Sequence, residues 1–510
     1  VLKQDSCYKM MTSETKGLYR SMIVKKAKNI SEYDYACKLL EKSSKTGEHI
    51  GFYLFKRPNY TLRSRLYVAV IAIFTLIISL LLSFITLDYW WLAFILLLVP
   101  ISELVIQLLN KILLRFYPCQ PLPKIDFSKG IDVKNATMVV IPTIIKDKTK
   151  IDKMFELLEK YYLANKSNNL YFSLLGDCCE SSIQEEEFDK EIAAYGIEVS
   201  DRLNEKYQTK IFSFVYRRRI FNPGEGKYLG YERKRGGLIH FNRLLLNTMS
   251  LYDKEKYIYV ENVTQIKSNI KYVITIDTDT ELVLNTALSL VGVMAHPLNK
   301  PVLNSDRTKV ISGYGIIQPR VNVDIESTNK SIYSQLMAGI GGFDVYSTIV
   351  PNFYQDVFNE GSFVGKGIYD LKVFDEVVSN AFPENLILSH DLLEGNYLRC
   401  GFASDIELID DFPSEFLVES SRQHRWSRGD VQISGWLHKK VKNKSGILVK
   451  NPLNLIERFK IFDNIRRIWL NPCMLFLMIL SFICGNPLCT FIIILAIIFL
   501  PMIFYIKELL

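Results

Sequence analysis

Four long apolar runs, set as two close pairs at either end of a charged middle, constrain this chain more than any other feature. The run Leu66 to Leu87 carries no charge, and as a helix it is long enough to cross a hydrocarbon layer of about 30 Å. A second run, Tyr89 to Leu109, follows after only Asp88, with Trp90 and Trp91 where interfacial aromatics belong and with Pro100 and Glu103 as interruptions. The runs Ile468 to Cys484 and Leu488 to Tyr505 flank Gly485, Asn486 and Pro487 and read as another hairpin. At 49% hydrophobic and 23% charged residues the overall balance is that of a globular protein. The bunching, not the amount, of apolar sequence therefore argues for membrane spans.

Basic residues flank these runs. Lys56, Arg57, Arg63 and Arg65 precede the first, Lys111 and Arg115 follow the second, and Arg458, Lys460, Arg466 and Arg467 precede the third. By the positive-inside rule, both termini and residues 116–465 are expected in the cytosol of a multi-pass protein of the inner membrane. The formal charge of +8 then calls for the membrane surface and for no nucleic acid. Nine cysteines are scattered without paired metal-ligand spacing, as in a reducing cytosol. Residues 1–25 lack the pattern of a signal peptide, and the opening at Val1 and apolar ending at Leu510 lead us to expect a piece of a longer protein.

The middle alternates strands and helices. Thr137 to Ile141 is a β-branched run suited to a buried parallel strand. Ile151, Met154, Phe155, Leu158, Tyr161 and Tyr162 recur at helical spacing, with Asp147 or Thr149 as a cap. Leu170 to Leu175 and Tyr272 to Ile276 are further strands, and Leu386 to Leu388 resembles another. Strand, helix and strand in sequence predict an α/β fold: a doubly wound, mostly parallel sheet inserted between transmembrane hairpins, with ligands beyond the carboxyl ends of the strands. That rule points to Thr143, Asp177, Asp277 and Asp279. The acidic stretch Glu185 to Glu191 reads as a solvated helical face. The boundaries are 1–65 for a cytosolic segment, 66–109 for the first hairpin, 110–136 for a linker, 137–450 for the catalytic domain, 451–467 for an amphipathic helix on the membrane surface, and 468–510 for the second hairpin.

Asp277 and Asp279, one residue apart at a strand's end, need a counter-ion. A hard divalent cation, Mg²⁺ or Mn²⁺, would keep positions for a diphosphate and water. Downstream lie Ser389, His390 and Asp391, and then an arginine-rich stretch containing Arg422, Gln423, His424, Arg425 and Trp426. In spacing and order these elements resemble the Asp-x-Asp, Glu-Asp and Gln-x-x-Arg-Trp series of inverting family 2-like glycosyltransferases, which include cellulose and hyaluronan synthases. His390 stands where those families usually have glutamate, and Arg422 where they have glutamine.

A closer resemblance covers nearly the whole chain. The strings GEHIGFYLF (47–55), GYERKRG (230–236), IQPRV (317–321), NEGSFVGKGIYD (359–370), LSHDLLEG (388–395), HRWSRGD (424–430) and KIFDNIRR (460–467) look like the family 84 glycosyltransferase region of cyclic β-1,2-glucan synthases. This resemblance implies a GT-A fold, UDP-glucose as donor, a divalent metal, a growing glucan as acceptor, and further C-terminal domains in the full-length protein. It also implies roles. Asp177 would contact the uracil, a reading preferred to that of a helix cap before Glu180 and Ser181. Lys234 and Arg425 would hold the diphosphate, with Thr143, Arg422 and Trp426 also on the donor side. Asp279 would be the direct metal ligand, with Asp277 sharing the ion or nearer the ribose. Asp391 would be the general base, and Gly361, Ser362, Gly365, His390 and Trp426 would meet the acceptor. A synthase of another β-glycan and a non-catalytic scaffold that binds sugar nucleotide are the alternatives. A channel is disfavoured by the few spans.

Overall fold

The computed structural model describes residues 1–28, 30–55, 60–86, 89–266, 269–338, 349–387 and 390–484, with 491 and 495. The N-terminal segment forms helices α1 (Ser13–Lys26) and α2 (Glu32–Thr46), capped by the Thr12 and Ser31 side chains. Two longer apolar helices follow, α3 (Tyr60–Thr86) and α4 (Trp90–Phe116), the latter running through Pro100. Both are long and apolar enough to cross a membrane. They begin earlier or end later than the apolar runs alone indicated, because the flanking basic and polar turns continue the helices.

The residues expected as a linker are not a free connection. Leu122, Ile125, Phe127 and Ile131 are buried, and the Asp126 N–H donates to the Met10 carbonyl (2.8 Å), joining this stretch to the N-terminal segment.

From residue 137 the alternation becomes β1 (Thr137–Ile145), α5 (Lys148–Ala164), β2 (Leu170–Cys178), α6 (Phe188–Tyr207) and β3 (Phe212–Arg217). All six apolar residues anticipated on α5 are buried, and Asp147 caps it by accepting from the Lys150 N–H. A short hairpin leads to α7 (Arg233–Leu245), then β4 (Ile258–Glu261), β5 (Tyr272–Thr275), β6 (Thr280–Glu281) and α8 (Thr286–Ala295). The remainder supplies β7 (Ile316–Val323), β8 (Gly367–Asp370), α9 (Asp391–Tyr397), β9 (Gly401–Asp410), α10 (Phe416–Gln432), α11 (Leu455–Ile468) and α12 (Leu470–Ile483).

Among the described residues nine strands form one sheet, in the order β4-β3-β2-β1-β5-β8-β7-β9-β6. The run β3-β2-β1-β5 is parallel, as expected of a doubly wound fold. The rest is mixed, because β8 inserts antiparallel between β5 and β7, and β4 and β6 close the edges antiparallel. Alternate residues of β1 feed opposite cores. Val139 and Ile141 pack with Phe155, Phe172 and Phe214, while Met138 and Val140 pack with Leu175, Val215 and Phe241. Both faces of the sheet are therefore covered, which is why these strands read as continuous apolar runs.

Three expectations change. Leu386 and Ile387 lie in a loop, and Leu388 and Ser389 fall outside the described residues. The acidic stretch is not simply solvated: α6 begins at Phe188, and Asp189 is 1% exposed in an ion pair with Arg219. Arg219 comes from the edge hairpin, so sequence-local reasoning had no view of it. Most consequential is α11, expected to lie on the membrane with its charged face outward. Of that face, Glu457, Lys460 and Asp463 are buried and Arg458 and Arg467 half-buried, whereas Phe462, expected on the apolar face opposite, is 48% exposed. Beyond it α12 has 14 residues and bends 43° from α11, and the fourth apolar run lies outside the described residues apart from Phe491 and Leu495.

A β-carbon added at Gly196 of α6 would fall 2.2 to 2.5 Å from the ring of the buried Phe214. Gly196→Ala should force α6 away from the sheet and destabilise the protein by about 1–3 kcal/mol, read as a lower urea midpoint of the detergent-solubilised chain.

Candidate functional site

The carboxyl ends of β1, β2 and β5 meet at one side of the sheet, and the chain beyond each contributes to a cavity of about 710 Å³. Thr143, Asp177, Lys234, Asp277 and Asp279 all line it. Asp177 is fixed by a two-pronged pair with the buried Arg217 (Nε–Oδ1 2.6 Å, Nη2–Oδ2 2.7 Å). The same guanidinium donates to the Tyr231 and Arg233 carbonyls (3.0 and 2.9 Å), so one side chain joins β2 to the start of α7. Gly230 is required here, because a β-carbon would lie 2.5 Å from Asp177 Oδ2.

Lys234, in the first turn of α7, reaches across the cavity to Asp277 Oδ1 (2.6 Å) and to the Gly365 carbonyl (3.0 Å). On the other side of Asp277 stands Lys366 (3.6 Å from Oδ2), which also pairs with the buried Asp410 at the end of β9. Burial alone would raise the Asp277 carboxyl, but Lys234 and Lys366 outweigh it and hold it below the ordinary carboxylate range. The turn is closed from β9: Thr280 Oγ1 donates to Asp410 Oδ1 (2.7 Å), and the Asp411 N–H donates to the Asp279 carbonyl (3.1 Å).

Asp277 and Asp279 differ in their need for a cation. Asp277 already has two ammonium partners. Asp279 is exposed, and no side-chain ion pair to it occurs among the described residues. A hard divalent ion that takes one or two protein carboxylates and fills its other positions with phosphate oxygens and water fits this donor set, with Asp279 as the open ligand.

The same aspartates form the wall of a second cavity of about 460 Å³ on the other side of the turn. Asp391, the first residue of α9, faces into it. Gly365, at φ +92°, lies against Asp391, and a β-carbon there would sit 2.9 Å from Oδ1. The NEGSFVGKG string therefore places backbone where a side chain would collide with the carboxylate. Ser362 lines the cavity, whereas Gly361 is packed on Phe402 and offers its carbonyl to Lys460 Nζ (2.7 Å).

His390, expected to meet the acceptor, is not part of either cavity lining. It is buried behind Asp391, its Nδ1 3.0 Å from Glu394 Oε1 and 3.5 Å from Asp391 Oδ1. Burial disfavours its charge, yet Glu394 and Asp391 together raise its pKa above the ordinary value. The two carboxylates thus favour an imidazolium at the foot of the second cavity.

Helix α10 presents Arg422, Gln423, Trp426, Ser427 and Asp430 to this cavity, a spacing of three and four residues along one face. Trp426 is 38% exposed, which excludes a buried core tryptophan, and the Arg422 guanidinium lies 5.3 Å from its ring centroid. Arg425 falls one residue off that face, is exposed, and lines neither cavity.

Sequence reasoning missed Arg217, Lys366 and Asp410, and also Lys146, Lys150 and Lys153 on the rim of the first cavity. Lysines near the start of a helix beyond a parallel strand were a usable signal. The pairing of Lys366 with Asp410 was not, since those residues meet only through the sheet.

No protein-family model matches the chain. Over 373 residues it is 36% identical to the cyclic beta-(1,2)-glucan synthase NdvB of Rhizobium meliloti (strain 1021), an alignment covering 72% of this chain and 13% of that protein. The chain is thus an α/β protein with two apolar helices of membrane-spanning length, related in sequence to a minor part of a much longer glucan synthase.

Burial pushes the Asp410 carboxyl up, and Lys366 is its principal opposing charge. Lys366→Met should leave that carboxylate buried without its cation and lower stability by about 3–5 kcal/mol, with Lys366→Arg retaining most of it, as measured by urea unfolding.

Proposed function

We propose that the chain is the sugar-transfer portion of a membrane-associated synthase that moves glucose from UDP-glucose onto a growing β-1,2-glucan, with inversion at the anomeric carbon, on the cytosolic side of the membrane. The observation that carries this reading is the pair of cavities sharing one wall, Asp277 and Asp279, with a carboxylate donor side behind it and Asp391 in front. The sequence relationship to a glucan synthase supports the choice of substrate.

In this reading the larger cavity takes the nucleotide. Asp177, held rigid by Arg217, lies on the base side, and Lys234 with the lysines of the rim meets the diphosphate. A divalent cation at Asp279 would stabilise the charge on the departing diphosphate. Lys234 and Lys366 keep Asp277 ionised and immobile, so the turn bearing Asp279 is set before substrate arrives.

The smaller cavity takes the end of the glucan. Trp426 offers a flat face for a glucose ring, and Ser362 and Arg422 offer polar contacts. The acceptor 2-hydroxyl attacks the anomeric carbon from the face opposite the diphosphate. Its proton passes to Asp391, the carbon–oxygen bond to UDP breaks, and the new bond has the inverted configuration. Asp391 cannot drift from this position, being wedged between the Gly365 backbone and His390.

Membranes holding the chain and incubated with labelled UDP-glucose and a divalent ion should yield a product that a β-1,2-glucanase digests. A product resistant to that enzyme but cut by a glucanase of another linkage would replace the proposed linkage. Asp391→Asn should lower transfer by about 10²–10⁴-fold while leaving the Kd for UDP within about twofold, and turnover retained in that variant would remove Asp391 as the base. Asp279→Ala should abolish transfer and also the divalent-ion dependence of UDP binding seen by calorimetry.

A further inference from the structure

Glu103 is a carboxylate within the long apolar helix α4, a costly place for a charge unless it is partnered and used. Its partner is on α11. Arg466 Nη2 donates to Glu103 Oε2 (2.5 Å), while Nη1 donates to the neighbouring Ser102 hydroxyl (3.1 Å). Arg466 also binds Asp463 Oδ1 through Nη2 (2.7 Å) and Nε (3.1 Å). The polar contacts do not stop there. Asp463 pairs with Arg467 (3.6 Å), Arg467 donates to Asn464 Oδ1 (2.5 Å), and Asn464 Nδ2 donates to Asp430 Oδ1 on α10 (3.1 Å). Arg467, Asn464 and Asp430 all line the smaller cavity beside Trp426, and none of them lines the larger one.

Lys460, one turn before Asn464, ties α11 to the other wall of that cavity through Glu360 (3.0 Å) and the Gly361 carbonyl (2.7 Å), and Ile456 and Phe459 of α11 pack in one cluster with Tyr354 of the same lining. The acceptor side therefore lies between the glycine-rich loop and α11, whereas the donor side is built on β1, β2, β5 and α7: it meets the loop where Lys234 donates to the Gly365 carbonyl (3.0 Å), and among the described residues none of α3 or α4 lines it.

We infer that Glu103 is a positioning residue for acceptor binding: through Arg466 and the chain of polar contacts to Asp430, the apolar helix sets the shape of the smaller cavity and leaves the nucleotide side unaffected. The inference rests on the assignment of that cavity to the glucan acceptor. It places a specificity element for the sugar chain in the membrane-spanning part of the protein.

The test compares the full-length chain in detergent with Glu103→Gln, Glu103→Asp and Ser102→Ala. Two binding constants are measured, one for a β-1,2-glucan oligosaccharide by the change in tryptophan fluorescence and one for UDP by calorimetry. Hydrogen exchange is followed in residues 426–432 and 455–468 without ligand. Glu103→Gln should weaken oligosaccharide binding by about tenfold, leave UDP binding within about twofold, and speed exchange in α11 and the end of α10, while Glu103→Asp restores most of the loss. Ser102→Ala keeps every charge and should shift the oligosaccharide constant the same way by about threefold, which serves as the test where Glu103→Gln does not accumulate. Equal weakening of both ligands, or no change in either, overturns the inference. Should α11 loosen as expected while the wild-type chain binds no glucan oligosaccharide, both the acceptor assignment and this inference fail, whereas a wild-type chain that binds the oligosaccharide with the expected split but transfers no glucose counts against the proposed reaction alone.

Discussion

The site depends on how the charge of Asp277 is balanced. A carboxylate at the end of a central strand faces low-dielectric surroundings on one side, and it stays ionised only where cations meet it. Here two lysines from distant parts of the chain do so, Lys234 from α7 and Lys366 from the end of the glycine-rich loop, just before β8. Lys366 is in turn committed to Asp410, which closes the far end of the same turn through Thr280. Three strands and a helix are thereby tied at one point. Removing Lys366 would leave Asp410 buried and charged, which holds the turn in place although each ion pair adds little net stability of its own.

This arrangement separates the roles of two acids that look equivalent in the sequence. Aspartates spaced by one residue read as a joint metal site. With Asp277 already neutralised by ammonium groups, the open valence falls to Asp279, on the boundary between the two cavities. A cation there would be held by one carboxylate and completed by what the substrate brings. Its affinity in the absence of nucleotide would be correspondingly low, because Mg²⁺ gives up water reluctantly to so few ligands.

The parallel half of the sheet was legible because each of its strands is buried on both faces and its helix shows one clean apolar stripe, as the six buried residues of α5 illustrate. The antiparallel insertion of β8 was not. Gly367–Asp370 is four residues long, follows a glycine-rich loop, and gains its place only by pairing with β5 and β7. The motif positions were legible to the extent that Asp277, Asp279 and Asp391, singled out in the sequence, all line one cavity. The site was illegible where position comes from packing. Arg425 and Trp426 are adjacent in sequence, yet a rotation of about 100° per residue puts only the latter on the cavity. The charged face of α11 misled for a related reason: alternation of charge with apolar residues normally marks solvent, but here Lys309, Glu360 and Glu103 arrive from elsewhere to meet Glu457, Lys460 and Arg466.

The N-terminal segment belongs to the same body by a similar logic. The Leu298 N–H donates to His296 Nδ1 (3.3 Å), so the proton of that neutral ring sits on Nε2 and faces the Tyr19 hydroxyl (3.5 Å). Tyr19 then donates its own proton to His49 Nε2 (2.8 Å), whose Nδ1 faces Asp5 (3.4 Å). Every group finds a partner of the right sense only if His296 stays neutral, and burial with His49 nearby does hold it there, at about 3. A segment attached through such a directional relay, with Tyr19 fully buried, is seated in one register against α8 and the strand ends it supports. It is thereby joined to the core of the sheet, where Tyr8, Tyr19 and Ile23 pack in one cluster with Val139 and Phe172.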